Sequence, residues 1–247
     1  SILTTNRSCA TGDGIVMGQA VGAAVTGMGF TQLMPIGWAN TGVLAGGNGE
    51  DVIFISPAGT ENAGKRYVDE SAERDVLSQG AYDFGGEHGL FIQLMNGGDN
   101  TSANDKPGQE YFMTLAEVAE MLEIDYDVLL ETVTTYDDAV RNGTFGSLDV
   151  PKASVGALIG NYNEDGSFDE DGIISVRYLA PSTHHTMGGL VVDLDRHVLT
   201  EDGSVIEGLY AAGEVTGGFF AGNRLGGNAI ADILVSGRIA GKNAAAG

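Results

Sequence analysis

The apolar positions along this chain change their period several times, and each change marks a predicted element. Asp51-Val52-Ile53-Phe54-Ile55 is a short, almost unbroken apolar run closed by the turn residues Ser56-Pro57-Ala58-Gly59, which predicts a strand. Lys65-Arg66-Tyr67-Val68-Asp69-Glu70 reads as a candidate second strand. Thr114-Leu115-Ala116-Glu117 has the spacing of a capping box, in which a hydroxyl and a carboxylate each satisfy an orphan backbone donor of a helix start. It predicts a helix ending near Glu123, and a second over residues 126–141 stopped by Asn142-Gly143. Residues 146–168 are rich in Gly, Asn, Asp and Ser and read as loops. Near the N-terminus, Gly14, Gly18 and Gly22 recur every four residues and put a smooth stripe on one face of a predicted helix within residues 12–27. Residues 190–193 and 209–212 read as strands and 229–240 as a closing helix. Strands alternating with helices at both ends indicate an α/β fold, with a more mixed α+β stretch between them.

Glycine is the compositional signal. It supplies 39 of 247 residues, about twice the ordinary share, and clusters at turns rather than in a low-complexity tract. The net charge of −22 argues against binding nucleic acid or an anionic membrane surface. The densest acidic stretches, residues 110–138 and 164–171, read as solvated surface. One cysteine, Cys9, excludes an internal disulfide and a cysteine metal cluster. No apolar run reaches the ~20 residues of a membrane span.

Three glycine-rich strings crowd the last third: His184-His185-Thr186-Met187-Gly188-Gly189, then Gly208-Leu209-Tyr210-Ala211-Ala212-Gly213-Glu214, then Asn223-Arg224-Leu225-Gly226-Gly227-Asn228-Ala229. Glu214 follows a strand-like run, where an acid can meet a sugar or polyol hydroxyl. Gly226-Gly227-Asn228 opens a helix-like run whose first backbone N–H groups can face an electron-rich partner. Arg224, just before it, has a planar fork suited to a carboxylate. Adjacent histidines on an extended segment point to opposite faces, so His184 and His185 do not share a metal, and no metal site is expected.

In this order the three strings resemble the C-terminal part of the FAD-dependent fumarate reductase and succinate dehydrogenase flavoprotein family, nearest its soluble flavocytochrome c and urocanate reductase branch. A thinner likeness reaches back to Thr11-Gly12-Asp13-Gly14. The resemblance implies part of a Rossmann-like FAD-binding domain (residues 1–30 and 182–247) interrupted by a capping domain (31–181). The G-x-G-x-x-G turn that holds the ADP half of FAD is not found. The N-terminal βαβ half is therefore expected to be missing from this chain, which alone should bind FAD weakly or not at all.

The resemblance also assigns roles. Gly12, Asp13, Gly213, Glu214, Arg224, Gly226, Gly227, Asn228, Ala229 and Ile230 would contact FAD, with Glu214 on a ribityl hydroxyl. Arg224 and one of His184 and His185 would hold a substrate carboxylate, with Thr186 and Gly188 nearby. Hydride would pass from reduced FAD to the β-carbon of an α,β-unsaturated acid, and Arg74 would protonate the α-carbon. Electrons would come from outside the chain, from a haem or FMN module or a separate reductase. Blander roles stand beside these: a helix N-cap for Asp13, plain packing for Gly18 and Gly22, a surface ion pair with Glu70, Glu73 or Asp75 for Arg74, a satisfied core position for a histidine, and a structural salt bridge for Arg224.

Departures from the family pattern bear on the substrate. The family's fumarate reductases carry a histidine before a proline where Gln32-Leu33-Met34-Pro35 has Met34. They also carry a Thr-Glu pair and an arginine before Gly-Asn-Gly, a proton relay, where residues 41–49 supply neither acid nor base. A monocarboxylate enoate with an apolar or aromatic tail near Met34 and Trp38 then fits better than fumarate. Two other readings are a ketosteroid-type flavin dehydrogenase, disfavoured because a neutral ketone needs no carboxylate clamp, and a non-catalytic fragment that needs its N-terminal half.

Overall fold

The computed structural model describes residues 2–46, 49–154, 156–220 and 222–246. The chain forms two compact units. The first is Met34–Ser182 with the residues up to Thr5, and the second is Asn6–Leu33 with the residues from Thr183 onward.

The first unit is built on an antiparallel sheet. Its long strand β7 (Ile173–Thr186) is flanked on one side by β5 (Phe91–Asn96), in register from Phe91 opposite Leu179 to Asn96 opposite Ile174. On the other side lies β6 (Glu110–Thr114), with Glu110 opposite Arg177. Strand β4 (Ile53–Ile55) extends the sheet from β5, and β1 (Leu3–Thr4) and β3 (Thr31–Trp38) also pair with β7. Strands β3 and β7 each run from one unit into the other.

Helices α3 (Leu115–Leu122) and α4 (Tyr126–Asn142) bury Leu115, Val118, Leu122, Leu129 and Val133 against Ile53, Ile55, Leu94, Ile174 and Val176 of the sheet. The capping box is formed: Thr114 Oγ1 accepts from Glu117 N–H, and the Glu117 carboxylate accepts from Thr114 N–H. Helix α4 stops at Gly143, whose φ of 66° is left-handed and costs glycine little. A second apolar cluster joins Trp38, Phe54, Tyr67, Leu77, Ala81 and Phe91, with α2 (Arg74–Phe84) lying over it.

In the second unit, α1 (Asp13–Ala20) packs on β8 (Gly189–Leu190). A Cβ at Gly18 would stand 2.6 Å from Leu190, so this member of the glycine stripe serves close packing. Strand β2 (Val25–Thr26) pairs with β8, and β9 (His197–Leu199) pairs with β10 (Val205–Tyr210). Helix α5 (Asn228–Ala246) buries Asp232, Ser236 and Ala240, four residues apart.

Several sequence expectations are corrected. Residues 65–70 form no regular strand; Arg66 makes one backbone bridge to Ile55, and its side chain bonds that of Glu70. The helix after Gly12 ends at Ala20, and Gly22 lies in a turn beyond it. The strand expected at 190–193 shortens to β8, and the one at 209–212 begins earlier and ends at Tyr210. The acidic stretch 110–138 is not all solvated. Glu110 is buried, bonded by Arg177, Lys106 and Ser175. Asp137 is buried, accepting from the N–H groups of Ile159 and Gly160 and from the Tyr162 hydroxyl. Burial pushes the Asp137 carboxyl up, against the opposing effect of those bonds.

Candidate functional site

In the second unit the end of β7 delivers the histidine pair. His184 is half-buried and His185 buried, as alternation along a strand requires. The His185 ring meets Phe220 edge-on at 5.5 Å, its Nε2 lies 3.9 Å from Glu214 Oε2, and its buried Nδ1 has no hydrogen-bond partner. Burial holds its pKa below the ordinary histidine value. Glu214 pulls the other way and the Arg224 charge reinforces the drop. The imidazole is therefore neutral around pH 7, one nitrogen a donor and the other an acceptor.

Glu214 ties the next residue down: its Oε1 accepts from Thr186 N–H at 2.9 Å and lies 3.2 Å from Thr186 Oγ1. Gly188 lets two segments meet, since a Cβ there would overlap the carbonyl oxygen of Gly27. Gly213 is buried at the start of a single 3-10 turn that carries Glu214.

Arg224 is 5% exposed. Its Nη1 donates to the Leu225 carbonyl at 3.3 Å, while its buried Nε has no hydrogen-bond partner. The backbone at Arg224 is held from Gln32, whose buried amide nitrogen donates to Arg224 O at 2.7 Å and to Asn223 Oδ1 at 2.8 Å. Gly226 and Gly227 form an exposed turn directly before α5, so Asn228, Ala229 and Ile230 are the first residues of that helix. Asp13 is the first residue of α1, and the N-cap is Gly12, which corrects the capping alternative for Asp13; its exposed carboxylate accepts from Thr11 Oγ1 at 2.7 Å.

In the first unit Arg74 is the first residue of α2 and lines a cavity of about 570 Å³. Met34, Ile36, Leu44, Glu50 and Glu70 share that lining. Trp38 does not line it; it lies in the second apolar cluster, with the Arg177 guanidinium 5.8 Å above its ring. Glu70, one proposed ion-pair partner of Arg74, is bound instead by Arg66, through Nε at 2.9 Å and Nη2 at 2.7 Å, and by Phe54 N–H at 3.0 Å. Gly47 and Asn48 of the 41–49 stretch fall outside the described residues. No group of three or more potential ligands capable of holding a metal occurs among the described residues.

Within the second unit the structure thus gathers His185, Thr186, Glu214 and Arg224, and within the first it gathers Met34 and Arg74. Sequence reasoning missed Gln32, which no periodicity singles out because its partners stand 191 and 192 positions away.

An accessible glycine turn at the head of a 19-residue helix and two buried nitrogens without hydrogen-bond partners, on His185 and Arg224, suit a cofactor and an anion. Residues 2–230 match the FAD binding domain family, and the chain belongs to it. Among named relatives, the NADH:acrylate oxidoreductase of Vibrio harveyi is 39% identical over 98% of this chain and 24% of its own length. The NADH:fumarate oxidoreductase of Klebsiella pneumoniae is 34% identical over 98% of this chain and 25% of its own. A solved structure, the open conformation of a flavocytochrome c3 fumarate reductase, is 28% identical with a TM-score of 0.72, covering 99% of this chain and 42% of that one. The chain therefore spans about a quarter of the length of the two named relatives. Family membership makes FAD the cofactor, and the α/β fold is that of the flavoprotein.

Proposed function

We propose that the whole protein to which this chain belongs reduces the carbon–carbon double bond of an α,β-unsaturated carboxylate, and that its substrate is a monocarboxylate such as acrylate. The observation that carries this reading is Arg224, a buried guanidinium with an unpartnered Nε, in the same unit as the buried His185. A buried cation short of partners stabilises an incoming carboxylate more than water would. A neutral ketone would leave that charge uncompensated, which disfavours the ketosteroid alternative.

FAD, when bound, supplies the hydride. Gly12, Asp13, Gly213, Glu214, Arg224, Gly226, Gly227, Asn228, Ala229 and Ile230 would hold it. Arg224 and one of His184 and His185 bind the carboxylate and polarise the double bond, drawing charge toward the carboxylate end. Thr186 and Gly188 line that end. Arg74 delivers a proton to the α-carbon; guanidinium is so weak an acid that it gives up its proton only to a strongly basic carbon. The apolar Met34, Ile36 and Leu44 that line the Arg74 cavity suit an uncharged β-carbon end, as in acrylate, better than the second carboxylate of fumarate.

Apolar surface supports an upstream half. Val16 and Met17 of α1, and Ile230, Ile233 and Leu234 of α5, are each more than half exposed. The spacing i, i+3, i+4 makes the α5 set one stripe. We infer that a further FAD-binding segment covers it, and that an external donor, a haem or FMN module or a separate reductase, supplies electrons. Steady-state turnover of the full-length, flavin-loaded protein with acrylate, methyl acrylate and fumarate tests the substrate: acrylate should be fastest, and a methyl ester that matches it would remove the role given to Arg224.

A further inference from the structure

The side chain of Lys152 is 0% exposed. Removing an ammonium from water costs several kcal/mol unless acceptors replace the water. Here the acceptors are specific. Nζ donates to the carbonyls of Gly49 and Glu50 at 3.0 Å, of Val52 at 3.1 Å and to the Tyr136 hydroxyl oxygen at 3.0 Å. Glu70 Oε2 lies 3.7 Å away.

Three of these oxygens belong to the stretch of backbone that leads into β4. Gly49 and Glu50 of that stretch line the Arg74 cavity, and so does Glu70, which is pinned by the Arg66 fork and Phe54 N–H. One ammonium thus fixes a wall of the cavity from behind. Gly156 closes the arrangement, since a Cβ there would overlap the Tyr136 hydroxyl and stand 2.9 Å from Glu50 O. Lys152 and Arg66 share the buried Glu70 carboxylate, and the part-buried Asp69 carboxylate also acts on Lys152, so the local charges balance and Lys152 serves through its geometry.

We propose that Lys152 is a positioning residue for the reaction at the Arg74 cavity, holding in place the Gly49–Glu50–Val52 backbone that forms its wall. The inference rests on the reductase reading above and deepens it.

The test is steady-state kinetics of the full-length, flavin-loaded protein with acrylate. Lys152→Met should raise KM about tenfold with kcat changed less and the bound-flavin spectrum unchanged. A Lys152→Met variant with wild-type KM overturns the proposal even if its Tm has dropped. If Lys152→Met does not fold, Lys152→Arg decides. It keeps the charge but cannot reproduce the geometry at three carbonyls, so it should lose several-fold in kcat/KM. A Lys152→Arg enzyme indistinguishable from wild type overturns the pinning. A wild-type protein that turns over no enoate sinks the reductase reading and this proposal with it, whereas an active wild type with an unaffected Lys152→Met sinks this proposal alone.

Discussion

Arg224 has lost almost all contact with water, keeps one 3.3 Å bond to its neighbour's carbonyl and leaves Nε without a partner. Replacing it with lysine keeps the charge and loses the planar fork, so kcat/KM for an enoate carboxylate should fall at least about a hundredfold, roughly 3 kcal/mol, in steady-state assays. Gln32 acts one step back. Gln32→Leu leaves Arg224 O and Asn223 Oδ1 without these two donors, and at about 1–2 kcal/mol for each buried group left unsatisfied it should raise KM about tenfold while flavin content is unchanged. His185 carries a pH signature. Its folded-state pKa is lowered, so its contribution to stability is complete above the ~6.5 of an unfolded histidine and is lost as pH falls through the folded value. An NMR titration of the imidazole should place its midpoint below that of a free histidine; a midpoint at or above it contradicts the burial argument. Arg224 and the histidine pair were legible in the sequence because they stand inside glycine strings. Gln32 and Lys152 were not, because their partners lie 192 and 103 positions away and nothing local marks either residue.

At the scale of elements, what the sequence disclosed was chiefly local chemistry. Thr114 and Glu117 announced α3 and Asn142-Gly143 announced the end of α4, because caps are written in three or four adjacent residues. Thr114→Ala should lower stability by about 1 kcal/mol, seen as a fall in Tm, with kinetics unaltered. Strands β3, β5, β6 and β7 were not anticipated. Their polar members Gln32, Gln93, Glu110 and Arg177 break the apolar pattern, yet pair with one another or with other segments once the sheet forms. The strand expected at residues 65–70 is reduced to a single bridge between Arg66 and Ile55, and the Arg66 and Glu70 side chains bond each other. The exposed stripe on α5 is the element with most still to do. Ile233→Lys should leave this chain's own fold intact, since Ile233 is 51% exposed, and should weaken its association with a separately expressed upstream FAD-binding half in a pull-down.

For the whole molecule, an acidic chain of net charge −22 is a poor general attractor of carboxylates, so affinity for an anion must come from a few buried cations. Arg224, buried in one unit, and Arg74, part-buried in the other, are the two of its 12 basic residues to which the proposed reading gives that role. The proposed reading places selectivity between enoates at Met34, so Met34→His should raise the ratio of fumarate to acrylate kcat/KM by about tenfold, by offering a second carboxylate contact. The measurement that tests the central claim most directly is the visible spectrum of the full-length protein, reduced anaerobically with dithionite and then mixed with acrylate. The account predicts oxidised-flavin bands that bleach on reduction and return within seconds of adding acrylate, more slowly with fumarate. Bands that bleach and stay bleached with every enoate offered, or a protein that carries no flavin at all, would contradict it.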